Sequence, residues 1–287
     1  MIWQIALTLN ALFSTIRSGI QKKIVSRTDP QLFLFYMVCY FFVEILILYV
    51  LIYRHFPTFY PSMFFLGVIF AISTTCLFAA IRISLSQTSL FGTYAIIVPM
   101  ILATLFRGES VFFDPMTIKG VRSITGVLSA LVSLWLLTRS KNHQKEKTNM
   151  TWFFLIFTYI IFDGVGQFWN KTFLASHTPM ETLVSQTIGM IPFLFLILYV
   201  RRVSFKITRN THRWIAFDSI AEVGFAIFLL LSFKLGPISL ILPIQKLATL
   251  IGGMLLGLFV FNEKHELTKT KKIGLLVGIA GIILLIF

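Results

Sequence analysis

Long runs of apolar residues, separated by short polar segments, follow one another along the whole chain. Most runs are about 20 residues long, the length that an α-helix needs to cross the ~30 Å hydrocarbon core of a bilayer. Strands of a membrane barrel would span only ~10 residues. The pattern therefore predicts ten transmembrane helices, at residues 2–21, 31–53, 62–83, 87–106, 117–137, 151–173, 179–200, 213–234, 237–261 and 271–287.

Composition favours the same class of protein. Apolar residues make up 57% of the 287 positions and charged residues 13%, whereas a soluble domain carries about 25% charged residues. The longest polar stretch, Thr138 to Asn149, leaves no room for a soluble domain. We therefore expect an all-α integral membrane protein.

Similar residues recur in the same order in the two halves of the chain, at a nearly constant separation. This predicts two five-helix repeats in one membrane domain, residues 1–140 and 150–287, joined by a linker at 138–149. Because five is odd, the second repeat must enter the membrane from the opposite side, as in many carriers. The matching pairs are Trp3 and Trp152, Lys22 and Lys171, Pro30 and Pro179, Arg82 and Lys234, Glu109 and Glu263, and Gly120 and Gly274.

The net charge of +14 comes from basic residues that lie mainly in short loops. Such residues set the orientation of helices in a membrane, so we expect no nucleic-acid partner. Most of the 25 Lys and Arg residues follow the odd-numbered helices. This bias predicts that these loops are cytoplasmic and that both termini lie outside.

The ends of the fourth and ninth predicted helices resemble the EamA-like carriers of the drug/metabolite transporter superfamily. They read LFRGE, ending at Glu109, and LFVFNE, ending at Glu263, and each precedes a glycine-containing helix. Asn262 stands where that family usually has glycine. The resemblance implies a cavity lined by helices 1, 3, 4, 6, 8 and 9, and cytoplasmic termini, which the loop charges contradict.

Ionisable groups deep in apolar helices are the main candidates for a substrate site, because each is costly in a membrane unless it is paired or hydrated. Asp163 and Lys246 lie near the middle of their helices, and Asp218 and Glu222 share one helix face. Arg17 lies nearer a helix end. The alternative is a buried ion pair that only holds helices together, for instance Lys246 with Glu222.

Uncharged residues extend the candidate site. Gln245 precedes Lys246, and Trp169 and Tyr94 lie on helices that the resemblance places at the cavity. An aromatic residue in a membrane helix more often serves packing, although Trp169 could stack on a cationic group. Further candidates on such helices are Asn10, Gln167 and Asn170.

Other conspicuous residues have simpler interpretations. Glu44 lies on a helix outside the expected cavity set, which favours a structural role. Glu109 and Glu263 lie at loop edges, where they are expected to cap helices or make turn contacts. Two glycine pairs with GxxxG spacing predict close helix packing: Gly253 with Gly257, and Gly274 with Gly278.

The sequence carries no Walker motif, and its five His residues are scattered over loops and helix ends. We therefore expect neither an enzyme nor a cofactor or metal site. The prediction is a secondary carrier in the inner or plasma membrane that moves a small polar metabolite by alternating access, with an amino acid favoured and a coupling proton as an option. A nucleotide-derived metabolite and a lipid headgroup remain alternatives, and the chain is expected to be a monomer or a homodimer.

Overall fold

The computed structural model describes residues 2–24, 28–84, 88, 91–138, 150–260 and 268–286. Within these ranges the chain is helical and has no strand. Residues 139–149 of the expected linker and Glu263 lie outside them. The described residues form ten α-helices: α1 (Ile2–Ile24), α2 (Pro30–Tyr53), α3 (Pro61–Ile83), α4 (Ile97–Phe106), α5 (Ile118–Thr138), α6 (Met150–Phe173), α7 (Pro179–Val200), α8 (Arg209–Leu235), α9 (Ile238–Phe259) and α10 (Lys269–Ile286).

Local capping explains where several helices begin. Proline at the first helical position, as in Pro30 and Pro179, has the right φ and no N–H to leave unpaired. Thr178 and Glu181 form a reciprocal capping box before α7. α8 begins at Arg209, a turn earlier than predicted, because the Thr208 hydroxyl accepts a hydrogen bond from a backbone N–H of the first turn.

The carboxylate of Asp29 stabilises the turn before α2. The carboxylate of Asp29 accepts hydrogen bonds from the backbone N–H groups of Gln31 and Leu32, and it pairs with Arg82 at the end of α3. Burial alone would raise the pKa of Asp29, but these backbone hydrogen bonds and the Arg82 charge outweigh it and lower the pKa below its ordinary value.

Seven of the described helices are long and apolar enough to cross a membrane. Their outward faces carry large apolar side chains, such as Phe65 and Phe154, which are 63% and 70% exposed. A soluble protein rarely exposes so many apolar side chains in contiguous patches. The chain is a multi-pass membrane protein.

Helices α1 and α8 pack side by side and antiparallel. The Asn10 side chain donates a hydrogen bond to the carbonyl of Phe225 (2.7 Å), and Gln21, further along α1, donates to Asp218, nearer the start of α8. Helices α3 and α6 also run antiparallel, with Phe70 beside Gly166 and the Ser73 hydroxyl on the carbonyl of Tyr159. These two pairs form much of the contact between the two halves of the chain.

Small residues join α5 to α10. The Ser133 hydroxyl donates to the carbonyl of Gly274 (2.6 Å), and a Cβ on Gly278 would meet the same hydroxyl. At the other end of the pair Gly126 lies against Leu285, so the two helices are antiparallel. The close packing predicted for Gly274 and Gly278 is confirmed.

The packing prediction is wrong for Gly253, because a Cβ at this position would have no atom of the described residues within 4 Å. Gly257, the other glycine of that pair, lies outside the residues whose side-chain surroundings the structure describes. Spacing alone could not distinguish the two GxxxG pairs, since the partner helix decides whether a glycine is needed.

Helices α2 and α7 are antiparallel as well. Arg201, at the end of α7, donates to Gln31 near the start of α2, and Tyr49, near the end of α2, donates to Glu181 (3.4 Å) at the start of α7. Helix α3 crosses α7 so closely that the backbone of Gln186 leaves no space for a side chain at Gly67.

Two charged side chains hold the link between α8 and α9. The carboxylate of Glu109 accepts hydrogen bonds from the backbone N–H of Ile238 and from the N–H and hydroxyl of Ser239, at 3.2, 2.9 and 2.5 Å. The Lys171 ammonium group donates to the last carbonyls of α8, at Phe233 and Gly236. The capping interpretation of Glu109 is therefore confirmed.

Candidate functional site

A cavity of about 190 Å³ lies in the middle of the bundle, between α2, α3, α6, α7 and α8. Two carboxylates line it, Asp163 from α6 and Glu222 from α8. Aromatic and aliphatic side chains also line the cavity, among them Phe70 and Phe225. The uncharged polar residues that line it are Ser73, Thr74, Gln167, Asn170, Gln186 and Thr187.

This set of helices differs from the one that the family resemblance implies. Helices α2 and α7 contribute to the cavity, although the resemblance left both out, whereas no described residue of α1, α4 or α9 lines it. The contribution of α7 follows from its close crossing with α3, where the backbone of Gln186 lies against Gly67.

Asp163 lies on the side of the cavity formed by α6. Gln167, one helical turn further along α6, lines the cavity as well. The Lys246 ammonium group of α9 is close enough to interact with Asp163 electrostatically, and Lys246 itself is partly buried. The two charges are near enough to influence each other, but Asp163 and Lys246 form no salt bridge.

Glu222 lies on the opposite side of the cavity and is paired with Arg17 of α1. The guanidinium and carboxylate approach to 2.5 Å, with side chains 25% and 16% exposed. The guanidinium carbon also lies 5.6 Å from the centre of the Phe225 ring, within the range of a cation–π contact. The pairing of Lys246 with Glu222 suggested by the sequence is wrong, because Arg17 takes that place.

Asp218 lies one turn before Glu222 on α8 and does not line the cavity. Its side chain is completely buried, and one carboxylate oxygen accepts a hydrogen bond from Gln21 at 3.2 Å. The other oxygen has no hydrogen-bond partner within the described part of the chain. Arg17 is close enough to act on both carboxylates electrostatically.

The remaining candidates lie away from the cavity. Gln245 is buried and donates to Thr249 one turn further along α9 (3.3 Å). Tyr94 lies in the short 3₁₀ segment before α4 and packs edge-on against Phe91. Trp169 is 42% exposed and lies in an outward-facing groove between α4 and α6, because its position on α6 points away from the cavity face.

Glu44 of α2 also lies outside the cavity. One of its oxygens accepts a hydrogen bond from the Ser219 hydroxyl of α8 at 2.7 Å. This contact joins two helices, which agrees with the structural role expected from the sequence.

Ser73 and Thr74 of α3 were not singled out from the sequence, and neither were two polar residues of α7, Gln186 and Thr187. Both are buried, and the Gln186 amide donates to the side chain of Asn170. Together with Thr182 and Ser185 they form a short polar segment in an otherwise apolar helix. That segment was the available signal, because uncharged polar groups in a membrane helix also need partners.

No protein-family model matches the chain, and neither does any curated protein. Solved structures do match in fold. A protein known from its crystal structure aligns over 98% of this chain and 95% of its own length, with a TM-score of 0.75 and 12% sequence identity. At that identity the similarity establishes a shared fold and nothing about substrate.

Proposed function

We propose that all ten helices cross the membrane, α4 together with the segment that precedes it, and that the chain is an inverted pair of five-helix repeats. Helices that would be equivalent in the two repeats, α2 with α7 and α5 with α10, run antiparallel to each other, as inversion requires. The contacts between the repeats are also equivalent. The first helix of each repeat packs on the third helix of the other, α1 on α8 and α6 on α3. Trp3 lies against Gly236 after α8, and Trp152 donates to Thr88 after α3.

The proposed activity is secondary transport of a small polar organic metabolite by alternating access, in the manner of EamA-like carriers of the drug/metabolite transporter superfamily. The observation that carries this proposal is the central cavity, which has carboxylates on two walls and lies between elements of both halves. A plain anchor or scaffold has no need for ionisable groups around a hollow in the bilayer. Inverted repeats that rock about such a site open it to each side in turn.

The charges around the cavity favour an amino acid or a related compound. An ammonium group of the substrate would pair with Asp163 or Glu222, both of which line the cavity. A substrate carboxylate would be drawn toward Lys246 or Arg17, the two cations next to those acids. Binding at Glu222 would then exchange partners within the existing Arg17–Glu222 ion pair, which limits the cost of removing water from the substrate charges.

Size argues against the larger alternatives in this conformation. The cavity of about 190 Å³ is smaller than the ~300–1,000 Å³ sites that hold drug-sized ligands. A nucleotide-derived metabolite would need a considerably larger opening. An amino acid of modest size needs far less rearrangement.

A lipid-headgroup flippase is the second candidate, because a groove of about 700 Å³ opens toward lipid between α1, α9 and α10. Its lining is apolar except for Thr8 and Thr15. A path for a charged headgroup would need polar groups along its length. The groove therefore fits an acyl chain better than a headgroup, and the carrier proposal is preferred.

The proposed location is the inner or plasma membrane, with the basic loops in the cytoplasm and both termini outside. The partners are a small solute and the surrounding lipid, and the proposal includes neither an enzymatic reaction nor a bound cofactor.

Uptake of a radiolabelled substrate panel into proteoliposomes tests this function, with and without a pH gradient. We expect uptake of at least one amino acid, and its loss in Asp163→Asn. Glu44→Gln is the matched control, since it removes a carboxylate of similar depth that does not line the cavity. Full uptake by Asp163→Asn, or no uptake of any solute by the wild-type chain, would refute the proposal.

A further inference from the structure

Two carboxyl groups and one guanidinium lie where α1 packs on α8: Asp218, Glu222 and Arg17. Among the described residues, Arg17 is the cation paired with this group, and it contacts Glu222. Asp163 lines the same cavity as Glu222, and the charge of Lys246 on α9 is within electrostatic range of Asp163. The cluster on α1 and α8 therefore has more negative than positive charge if all its carboxyls are ionised.

Asp218 is the least compensated member of the cluster. It is completely buried, and its Oδ1 has no hydrogen-bond partner among the residues that the structure describes. Because Asp218 and Glu222 are four residues apart, they share one face of α8. An unpaired carboxylate oxygen buried at this depth is costly, so the site is incomplete without a ligand.

The ligand that fits is a proton. A hard metal cation needs about six or more oxygen ligands, and here it would lie beside the positive charge of Arg17. A proton binds a single oxygen. Two carboxylates, one guanidinium and one proton together carry no net charge, which is the state that costs least in hydrocarbon.

We propose that Asp218 and Glu222 share one exchangeable proton and form the coupling site of the carrier. This inference rests on the proposed transport function and assigns the proton to α8, leaving Asp163 to bind substrate. Glu222 lines the cavity, whereas Asp218 lies one turn nearer the start of α8, where Gln21 of α1 contacts it. The pair therefore connects the cavity with one end of the bundle.

Exchange follows from competition for Glu222. When a cationic group of the substrate enters the cavity beside Glu222, the shared proton is no longer needed to balance the charge. The carboxyl O–H bond then breaks, its electron pair stays on the carboxylate oxygen, and the proton passes to water on the Gln21 side. Departure of the substrate reverses these steps, so solute and proton move in opposite directions.

Infrared spectroscopy of the purified protein in lipid nanodiscs tests the proton directly at neutral pH. We expect a carbonyl band of a protonated carboxylic acid that shifts in D₂O, and its complete loss in both Asp218→Asn and Glu222→Gln. Asp218→Glu, which keeps an acid at the site, should retain the band and shows that loss is not due to misfolding. Asp163→Asn and Glu44→Gln should retain it as well.

The proposal is overturned if the wild-type protein lacks the band, or if the band survives in Asp218→Asn and Glu222→Gln. Loss of the band in Asp163→Asn or Glu44→Gln would also overturn it, because the proton would then belong to another carboxyl. This measurement needs no substrate, so a failure of the transport proposal is seen separately, as absence of uptake. If uptake occurs and Asp218→Asn keeps its full stimulation by a pH gradient, the coupling role is wrong.

Discussion

The crossing of α3 and α7 predicts a large difference between two glycine substitutions that are alike in chemistry. A Cβ on Gly67 would lie 2.7 Å from the carbonyl carbon of Gln186 and closer still to its oxygen, whereas 3.4–4 Å is ordinary contact. These are backbone atoms, which cannot rotate away. Gly67→Ala must therefore push the two helices apart by roughly 1 Å, the kind of overpacking that costs about 1–3 kcal/mol.

Gly253→Ala is the matched control, because its Cβ would have open space around it. There the substitution should stabilise the helix by about 0.5–1 kcal/mol, the usual advantage of alanine over glycine. The two variants should thus differ by about 1.5–4 kcal/mol. At roughly 2–4 °C per kcal/mol, this separates their melting temperatures by about 3–16 °C.

The assay is thermal unfolding in one detergent, followed by the fraction of protein that remains monodisperse after heating. A double variant sharpens it. A Cβ on Gly189 would meet the backbone of Phe64 at the same crossing, at 2.9 Å from the carbonyl carbon. Once the helices have separated to accommodate one alanine, the second alanine requires less further separation. The double variant Gly67→Ala with Gly189→Ala should therefore lose less stability than the sum of the losses in the two single variants.

Equal melting temperatures for Gly67→Ala and Gly253→Ala would refute this reasoning, as would strict additivity in the double variant. Transport offers a second readout. Because α3 and α7 carry Ser73 and Gln186 of the cavity wall, Gly67→Ala should also reduce uptake, while Gly253→Ala should not.

Two further predictions concern charged caps. Glu109→Ala leaves buried N–H groups at the start of α9 unpaired and should lower the free energy of unfolding by about 3 kcal/mol. Asp114→Ala, at an exposed turn, is the control and should change it by no more than about 0.5 kcal/mol. Equal losses would contradict the capping role of Glu109. Asp29→Ala should cost about 1 kcal/mol at neutral pH. Because the folded-state pKa of Asp29 is lowered, its contribution is present above the unfolded value of about 3.9 and is lost as pH falls through the folded value. The melting difference between wild type and Asp29→Ala should therefore shrink as the pH falls below the unfolded value of about 3.9, and a constant difference would rule out the ionised cap.

The sequence by itself determined the features that depend on local physics. Hydrophobic length and capping located the helices, so that Pro30 and Pro179 begin α2 and α7 where expected. The need of buried charges for partners in hydrocarbon singled out Asp163 and Glu222, and both line the cavity. A carboxylate at a loop edge, Glu109, was correctly expected to cap a helix.

Only the tertiary structure decided which of these groups meet. Arg17, and not Lys246, pairs with Glu222, because α1 packs against α8 along its length. Helix α7 enters the cavity wall because Gly67 lets α3 approach it closely, and this brings in Gln186. Trp169 lies outside because the rotation of a helix about its own axis depends on its neighbours. Spacing along a chain fixes which residues share a helix face, and packing between helices fixes what that face contacts.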